Sequence, residues 1–125
     1  MDITPHIPIG RQIIQRYGGG GFFIADKQYV GSVLVFQEQV LAWPVSSMAG
    51  VSVGDFADVR EAADNVDILL VGCGREMEFI TDDIRVNLRS SNIIVEPMDT
   101  GAACRTWNVL LSEERRAAAA LIAVE

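Results

Sequence analysis

The chain has 125 residues, half of them hydrophobic and 22% charged, with a formal net charge of -7. This length suits a single domain with one core, and the composition is that of a globular chain rather than a disordered one. The acidic balance argues against sequence-independent binding to nucleic acid or anionic lipid, which needs a basic face, and no apolar run reaches the ~20 residues of a membrane span.

Residues 1–15 read as an extended N-terminal segment, because Pro5 and Pro8 bias the residues before them away from helix. The segment lacks the charged start and apolar run of an export signal, and it lacks the Arg-rich, acid-poor pattern of a transit segment. A cytoplasmic location is the expectation, with Cys73 and Cys104 as reduced thiols. His6, the only histidine, lies between prolines with no ligand cluster beside it and reads as a surface residue.

Tyr17-Gly18-Gly19-Gly20-Gly21-Phe22 precedes a strand pattern, not the helix N-terminus that a phosphate-cradling loop requires. It reads as a tightly turning entry to a β-meander. Three strands are expected there: Phe22–Ala25, Tyr29–Phe36 and Val40–Trp43. Gly31 inside the second suggests a bulge or a close backbone approach, and Pro44 ends the third. Trp43 is expected in core or edge packing. Beyond a loop, Phe56, Val59 and Ala63 recur at helical spacing, so a short helix is expected over Phe56–Asn65 with Asp55 as its cap.

Val66 to Gly74 is the stretch around which the rest is organised. Ile68–Val71 is apolar without interruption, as in a central strand covered on both faces, and two glycines end it. Met77–Ile80 is expected to extend briefly. Thr81 then caps a helix with Asp82 and Asp83 in its first turn, where carboxylates suit the helix dipole. Ile84 and Leu88 share one face, and Arg85 and Arg89 another. Ser91-Asn92 ends it before a strand, Ile93–Val95, stopped by Pro97. Strand, glycine turn, helix and strand make one βαβ unit. Asp99 or Thr100 caps the next helix, to about Leu111. Ser112 reads as a second cap or a kink, and a last helix is expected over Glu113–Val124, because the run Ala117–Ala120 is strongly helical.

The candidate site follows from this layout. If the two strands run parallel, their following turns share the carboxyl edge at which α/β sheets bind ligands. Gly72, Cys73 and Gly74 supply one turn; Asp99, Thr100, Gly101 and Cys104 supply the other. Gly101, Arg105 and Asn108 share a helix face, and with the helix N-terminus they suit a small anion. The simpler reading, favoured here, has Arg105 pairing with Asp99 or nearby carbonyls and fixing the turn. A dinucleotide fingerprint is a poor match, because Met77 stands where the third glycine belongs. Cys73 and Cys104 can be placed across the same edge, yet two inert buried thiols is the preferred reading. No catalytic set or metal cluster is suggested by spacing.

Met98-Asp99-Thr100-Gly101-Ala102-Ala103-Cys104-Arg105-Thr106-Trp107-Asn108-Val109-Leu110-Leu111-Ser112-Glu113 resembles the signature of the Mth938-like domain family of unknown function. Tyr17-Gly18, Gly20-Gly21-Phe22, Gly31-Ser32-Val33-Leu34, Trp43-Pro44 and Leu70-Val71-Gly72-Cys73-Gly74 extend the resemblance over nearly the whole chain. The chain departs from the pattern at Trp107, where Tyr is usual, which weakens a hydrogen-bonding role there, and at Gly19, where Pro is usual. The family includes mitochondrial respiratory complex I assembly factor 3. The resemblance implies a three-layer α/β fold in one domain, a mixed central sheet with helices and an added β layer. It implies no enzyme activity and no cofactor, a protein partner in respiratory or membrane-protein assembly, and, with no transit segment, a bacterial member. Two functional readings follow: a non-enzymatic interaction or assembly protein, ranked first, and a small-molecule or anion binder or enzyme that uses the Gly72–Gly74 and Asp99–Asn108 edge.

Overall fold

The computed structural model describes residues 7–125, so His6 and the start of the N-terminal segment lie outside the described residues. Short strands at the start of the chain divide between two sheets. β1 (Ile14–Gly18), β2 (Gly21–Ile24) and β3 (Lys27–Val30) form an antiparallel three-stranded sheet in sequence order. β1 was not apparent in the sequence: only Ile14 in it is buried, so no apolar alternation marks it. The four-glycine run is the hairpin turn between β1 and β2, with Gly18, Gly19 and Gly20 at positive φ.

The expected strand Tyr29–Phe36 is in fact two. Gly31, at φ +84, ends β3, and β4 (Val33–Val35) begins in the other sheet. The Gly31 N–H donates to the Gly20 carbonyl at 2.8 Å, and the Ser32 carbonyl accepts from the Trp43 N–H at 2.9 Å, so each half of the corner is tied to its own sheet. The strand expected to follow is β5 (Val40–Ala42), antiparallel to β4.

The helix expected over Phe56–Asn65 is broken into a 3-10 turn (Val53–Phe56), α1 (Ala57–Glu61) and a second 3-10 turn (Ala63–Asn65). Ser52, not Asp55, stands at its start; the Asp55 carboxylate accepts the Ser52 N–H at 2.8 Å, as the third residue of a capping box does. Trp43 packs in the core against Phe56 and donates its indole N–H to the Asp55 carbonyl at 2.8 Å.

β6 (Ile68–Gly72) is the buried central strand that its apolar run required. Met77–Ile80 is loop rather than strand, and only Ile80 of that stretch is buried. α2 (Asp82–Arg89) follows Thr81, whose hydroxyl bonds the Asp83 carboxylate rather than a backbone N–H. Pro97 does not stop β7 (Ile94–Met98); the strand runs through it. Ile94 N–H donates to Asp67 and the Met98 carbonyl accepts from Cys73, so alternate residues face β6 and Pro97 faces the open edge. A proline costs no ladder bond there. α3 (Thr100–Ser112) follows, with Asp99 accepting the Ala102 N–H at 2.9 Å.

The largest departure is the C-terminus. Glu114, at φ +55, turns the chain out of α3, and Ala117–Leu121 is a strand, β8, not a helix. β8 lies between β4, antiparallel, and β6, parallel, in a five-stranded sheet ordered β5-β4-β8-β6-β7. Ladders on both sides outweigh the helix preference of alanine, which is only a weak prior. Its alanines are buried on both faces: Ala117, Ala119 and Leu121 join one core, Ala118, Ala120 and Ile122 the other. α1 and α2 close over the second of these with Phe56, Val59, Ile84 and Leu88. α3 and the small sheet close over the first with Trp107, Leu111, Phe22 and Ile24. The architecture is therefore three-layered, with a mixed central sheet, helices and an added β layer.

Candidate functional site

β6 and β7 are parallel, with Gly72 opposite Met98, so the two turns share the carboxyl edge as the strand order required. Thr100 closes that edge. Its N–H donates to the Gly74 carbonyl at 2.8 Å, and its hydroxyl accepts the Gly74 N–H at 3.0 Å. The same hydroxyl donates to the carbonyl of Ile122, just past β8, at 2.7 Å. One fully buried side chain thus joins the ends of β6 and β8 to the start of α3. Gly72 fits because a side chain would meet the Thr100 backbone and Leu121 at 3.0–3.1 Å.

Gly101, Arg105 and Asn108 do share a face of α3, and it packs against β1. The Asn108 amide pairs with both backbone groups of Ile14: its oxygen accepts the N–H at 2.9 Å and its nitrogen donates to the carbonyl at 2.8 Å. A single side chain thereby satisfies both backbone groups of Ile14 at the edge of the small sheet. Gly101 leaves room for Tyr17, whose hydroxyl would lie 2.5 Å from a side-chain carbon there. Arg105 reaches that hydroxyl at 3.4 Å; among the described residues it forms no ion pair with Asp99 or any other carboxylate. Trp107, where a weaker bonding role was expected, donates its indole N–H to the Gln12 carbonyl at 2.8 Å. Tyr17 is the residue of this site that the sequence did not indicate, since its partners on α3 lie 84 to 88 positions along the chain.

The two thiols are not brought together. Cys73 belongs to the core under α1 and α2, Cys104 to the core under α3, on opposite faces of the sheet. Burial pushes both pKa values up, that of Cys104 to about 12. Each is therefore a protonated, poorly nucleophilic thiol near neutral pH. Among the described residues no cluster of His, Cys, Asp and Glu is placed to hold a metal ion, and no helix is long and apolar enough to cross a membrane.

Residues 14–122 match the model of the family described as protein of unknown function (DUF498/DUF598). The chain is similar to NADH dehydrogenase (ubiquinone) 1 alpha subcomplex assembly factor 3 of Xenopus tropicalis, with 34% identity over 109 residues, 87% of this chain and 60% of that protein. It thus spans less than two thirds of that relative's length. A crystal structure described as an outer membrane protein from Bartonella henselae superposes with a TM-score of 0.87 and 38% identity, over 96% of this chain and 100% of that one. The solution structure of a Bordetella pertussis protein described as a Mth938-like domain superposes with a TM-score of 0.80, over 98% and 92% of the two chains. At 23% identity that last likeness is one of fold.

Proposed function

Because this chain belongs to the family described as protein of unknown function (DUF498/DUF598), we propose that it is non-enzymatic and acts by contact with other proteins, as an assembly factor does. The similarity to an animal complex I assembly factor across 87% of the chain carries this reading. The site geometry supports it: Thr100, Asp99 and Asn108, the polar groups best placed to bind a small molecule, are bonded within the chain. Assistance to a respiratory complex is the specific form of the proposal. Affinity capture of the tagged chain from cross-linked cells of its own source is expected to recover a respiratory or membrane-biogenesis protein. Recovery of neither overturns it.

One observation supports a second reading. Arg105 stays exposed at the edge beside the Tyr17 hydroxyl, with no carboxylate partner among the described residues. A small anion would bind there, and a ligand specific to the native state raises the melting temperature by mass action. The test is a thermal-shift series with inorganic phosphate, nucleotides and small carboxylates. A shift lost in Arg105→Ala supports the site, and no shift from any of them removes it.

A further inference from the structure

Four strands have a side with no neighbour in their own sheet: β1 and β3 in the small sheet, β5 and β7 in the large one. Three of these edges are blunted. α3 packs along β1, and Asn108 takes both backbone groups of Ile14. Trp43 faces β4, so Pro44 follows at the next outward position of the β5 edge and offers no N–H. Pro97 has none within β7, where Arg85 also donates to the Val95 carbonyl at 3.3 Å. Prolines and charged side chains blunt sheet edges in this way.

β3 carries no proline. The Gly31 N–H reaches the Gly20 carbonyl, so by the alternation of an antiparallel ladder Tyr29 bonds Phe22, and Gln28 and Val30 turn their backbone groups outward. Those groups have no partner among the described residues, and Val30 is 90% exposed. The open stretch is bounded: the Asp26 N–H is held by the Gln15 side chain at 2.7 Å, and the Ser32 carbonyl by Trp43. A single charge stands on it, Lys27 at its first residue. An edge lysine opposes pairing unless the incoming strand brings an acid to meet it.

A second copy does so. About a two-fold axis, one antiparallel register uses both outward residues: Gln28 opposite Val30, Tyr29 opposite Tyr29, and Lys27 opposite Gly31 of the other copy. Gly31 is bonded to Gly20, and a side-chain carbon added to Gly20 would lie 3.9 Å from the Glu125 carboxylate. Each lysine thereby comes within reach of the other copy's Glu125, and neither group has an ion-pair partner among the described residues of its own chain. The neighbouring Asp26 carboxylate accepts from Gln15 in its own sheet at 2.9 Å. The same register lines up aromatic rings. Tyr17, Phe22 and Tyr29 are cross-strand neighbours, and the row continues into Tyr29, Phe22 and Tyr17 of the second copy. Aromatic pairs of this kind stabilise sheets.

We propose that β3 pairs antiparallel with β3 of a second copy about an axis at Tyr29, joining the two small sheets into one. A four-residue strand is well below the roughly 20–30 residues a side of a stable interface, so the dimer comes apart on dilution. The proposal goes beyond the reading of the chain as an interaction protein and does not rest on it.

The test uses the full chain. Sedimentation across about 10 µM to 1 mM is expected to show a reversible monomer–dimer equilibrium, and amide shifts on dilution should fall on Gln28, Tyr29 and Val30. Tyr29→Cys is expected to give a disulfide-linked dimer under mild oxidation, because facing residues of a non-hydrogen-bonded pair stand about 4.5 Å apart at Cα. Gln28→Cys, whose counterpart is out of register, should not; the native thiols are buried and stay out of the reaction. Lys27→Glu is expected to raise the dissociation constant about three-fold or more, and adding Glu125→Lys should restore it. Both of those residues are exposed, so this pair of variants keeps the test open if Tyr29→Cys fails to fold. A chain that stays monomeric throughout, shifts on another face, an equal yield of linked dimer from Gln28→Cys, or a dimer indifferent to Lys27→Glu would each overturn the proposal. So would β3 amides that ignore dilution and move only with an added extended peptide, since the edge would then belong to a foreign strand. The affinity capture above can fail while the dimer stands, and the reverse.

Discussion

Thr100→Val tests whether the carboxyl edge is a structural joint. Valine nearly matches threonine in shape, so the change opens no cavity and removes chiefly the hydroxyl. Two bonds are lost, to the Ile122 carbonyl (2.7 Å) and from the Gly74 N–H (3.0 Å). Such a bond contributes about 1 kcal/mol net, but a variant that leaves its buried backbone partner unpaired loses that group's full desolvation cost instead, about 1–3 kcal/mol each. Ile122 is buried and Gly74 half-buried, so the penalty falls nearer the lower end for Gly74. The sum is about 2–4 kcal/mol, out of the roughly 5–15 kcal/mol that stabilise a domain. Thr100→Ser keeps both bonds and loses one buried methyl, about 1 kcal/mol. Urea unfolding followed by tryptophan fluorescence reads both variants, since Trp43 and Trp107 are buried on opposite faces of the sheet. The midpoint should fall for Thr100→Val with an unchanged slope, as expected for a loss of stability without a change in surface exposed. A Thr100→Val variant within about 0.5 kcal/mol of the wild type, or a serine variant weaker than the valine one, would refute the reasoning.

Other consequences are open to the same measurements. Asn108→Ala strands both backbone groups of Ile14 and is expected to cost about 2–3 kcal/mol in urea unfolding; a neutral result would mean that the α3–β1 contact carries little. Gly101→Ala should destabilise through its 2.5 Å approach to the Tyr17 hydroxyl, yet be neutral or stabilising in a Tyr17→Ala background, where the roughly 1 kcal/mol helix advantage of alanine over glycine is free to act. Additive effects in that double-mutant cycle would exclude the contact. The Cys104 pKa is raised in the native state, from 9.0 to about 12 by burial, so the folded chain holds its proton more tightly than the unfolded one. The resulting stabilisation is present in full below pH 9 and is lost as the pH climbs toward 12. Cys104→Ala should flatten that alkaline loss, and an unchanged pH profile would contradict the assignment.

What the sequence revealed depended on how locally each element is specified. β6 was legible because a strand covered on both faces needs an unbroken apolar run, and Ile68–Val71 is one. α3 was legible from Asp99, whose carboxylate caps it, and from a helical pattern ending close to Ser112. The two ends of the chain were not, for opposite reasons. β1 has one buried residue and is held by β2 and by Asn108, 94 positions away, so nothing local marks it. β8 carries the strongest local helix signal in the chain and is overruled by β4 and β6, whose ladders need a strand between them. The separation of Cys73 from Cys104 was hidden likewise, since it depends on which face of the sheet α3 covers.

The Met98–Glu113 stretch shows why a motif that looks like a binding site can encode something else. A polar group can hold a ligand only where the fold leaves it free. Asp99 caps its own helix, Thr100 joins the ends of two strands, and Gly101 makes room for Tyr17. Trp107 binds the backbone of Gln12, just before β1, and Asn108 that of Ile14 within it. α3 lies between two sheets that share no strand; apart from Asp99, each of these groups fits it to one side or the other. The unusual residues of the motif are therefore accounted for by the demands of that position. Side chains with no such duty are exposed: Arg105 at the rim of the same stretch, beside the Tyr17 hydroxyl, and Val86 and Arg89 on the outer face of α2. A residue that the fold does not use is the better guide to function, so these exposed side chains are where contact with another molecule should first be sought.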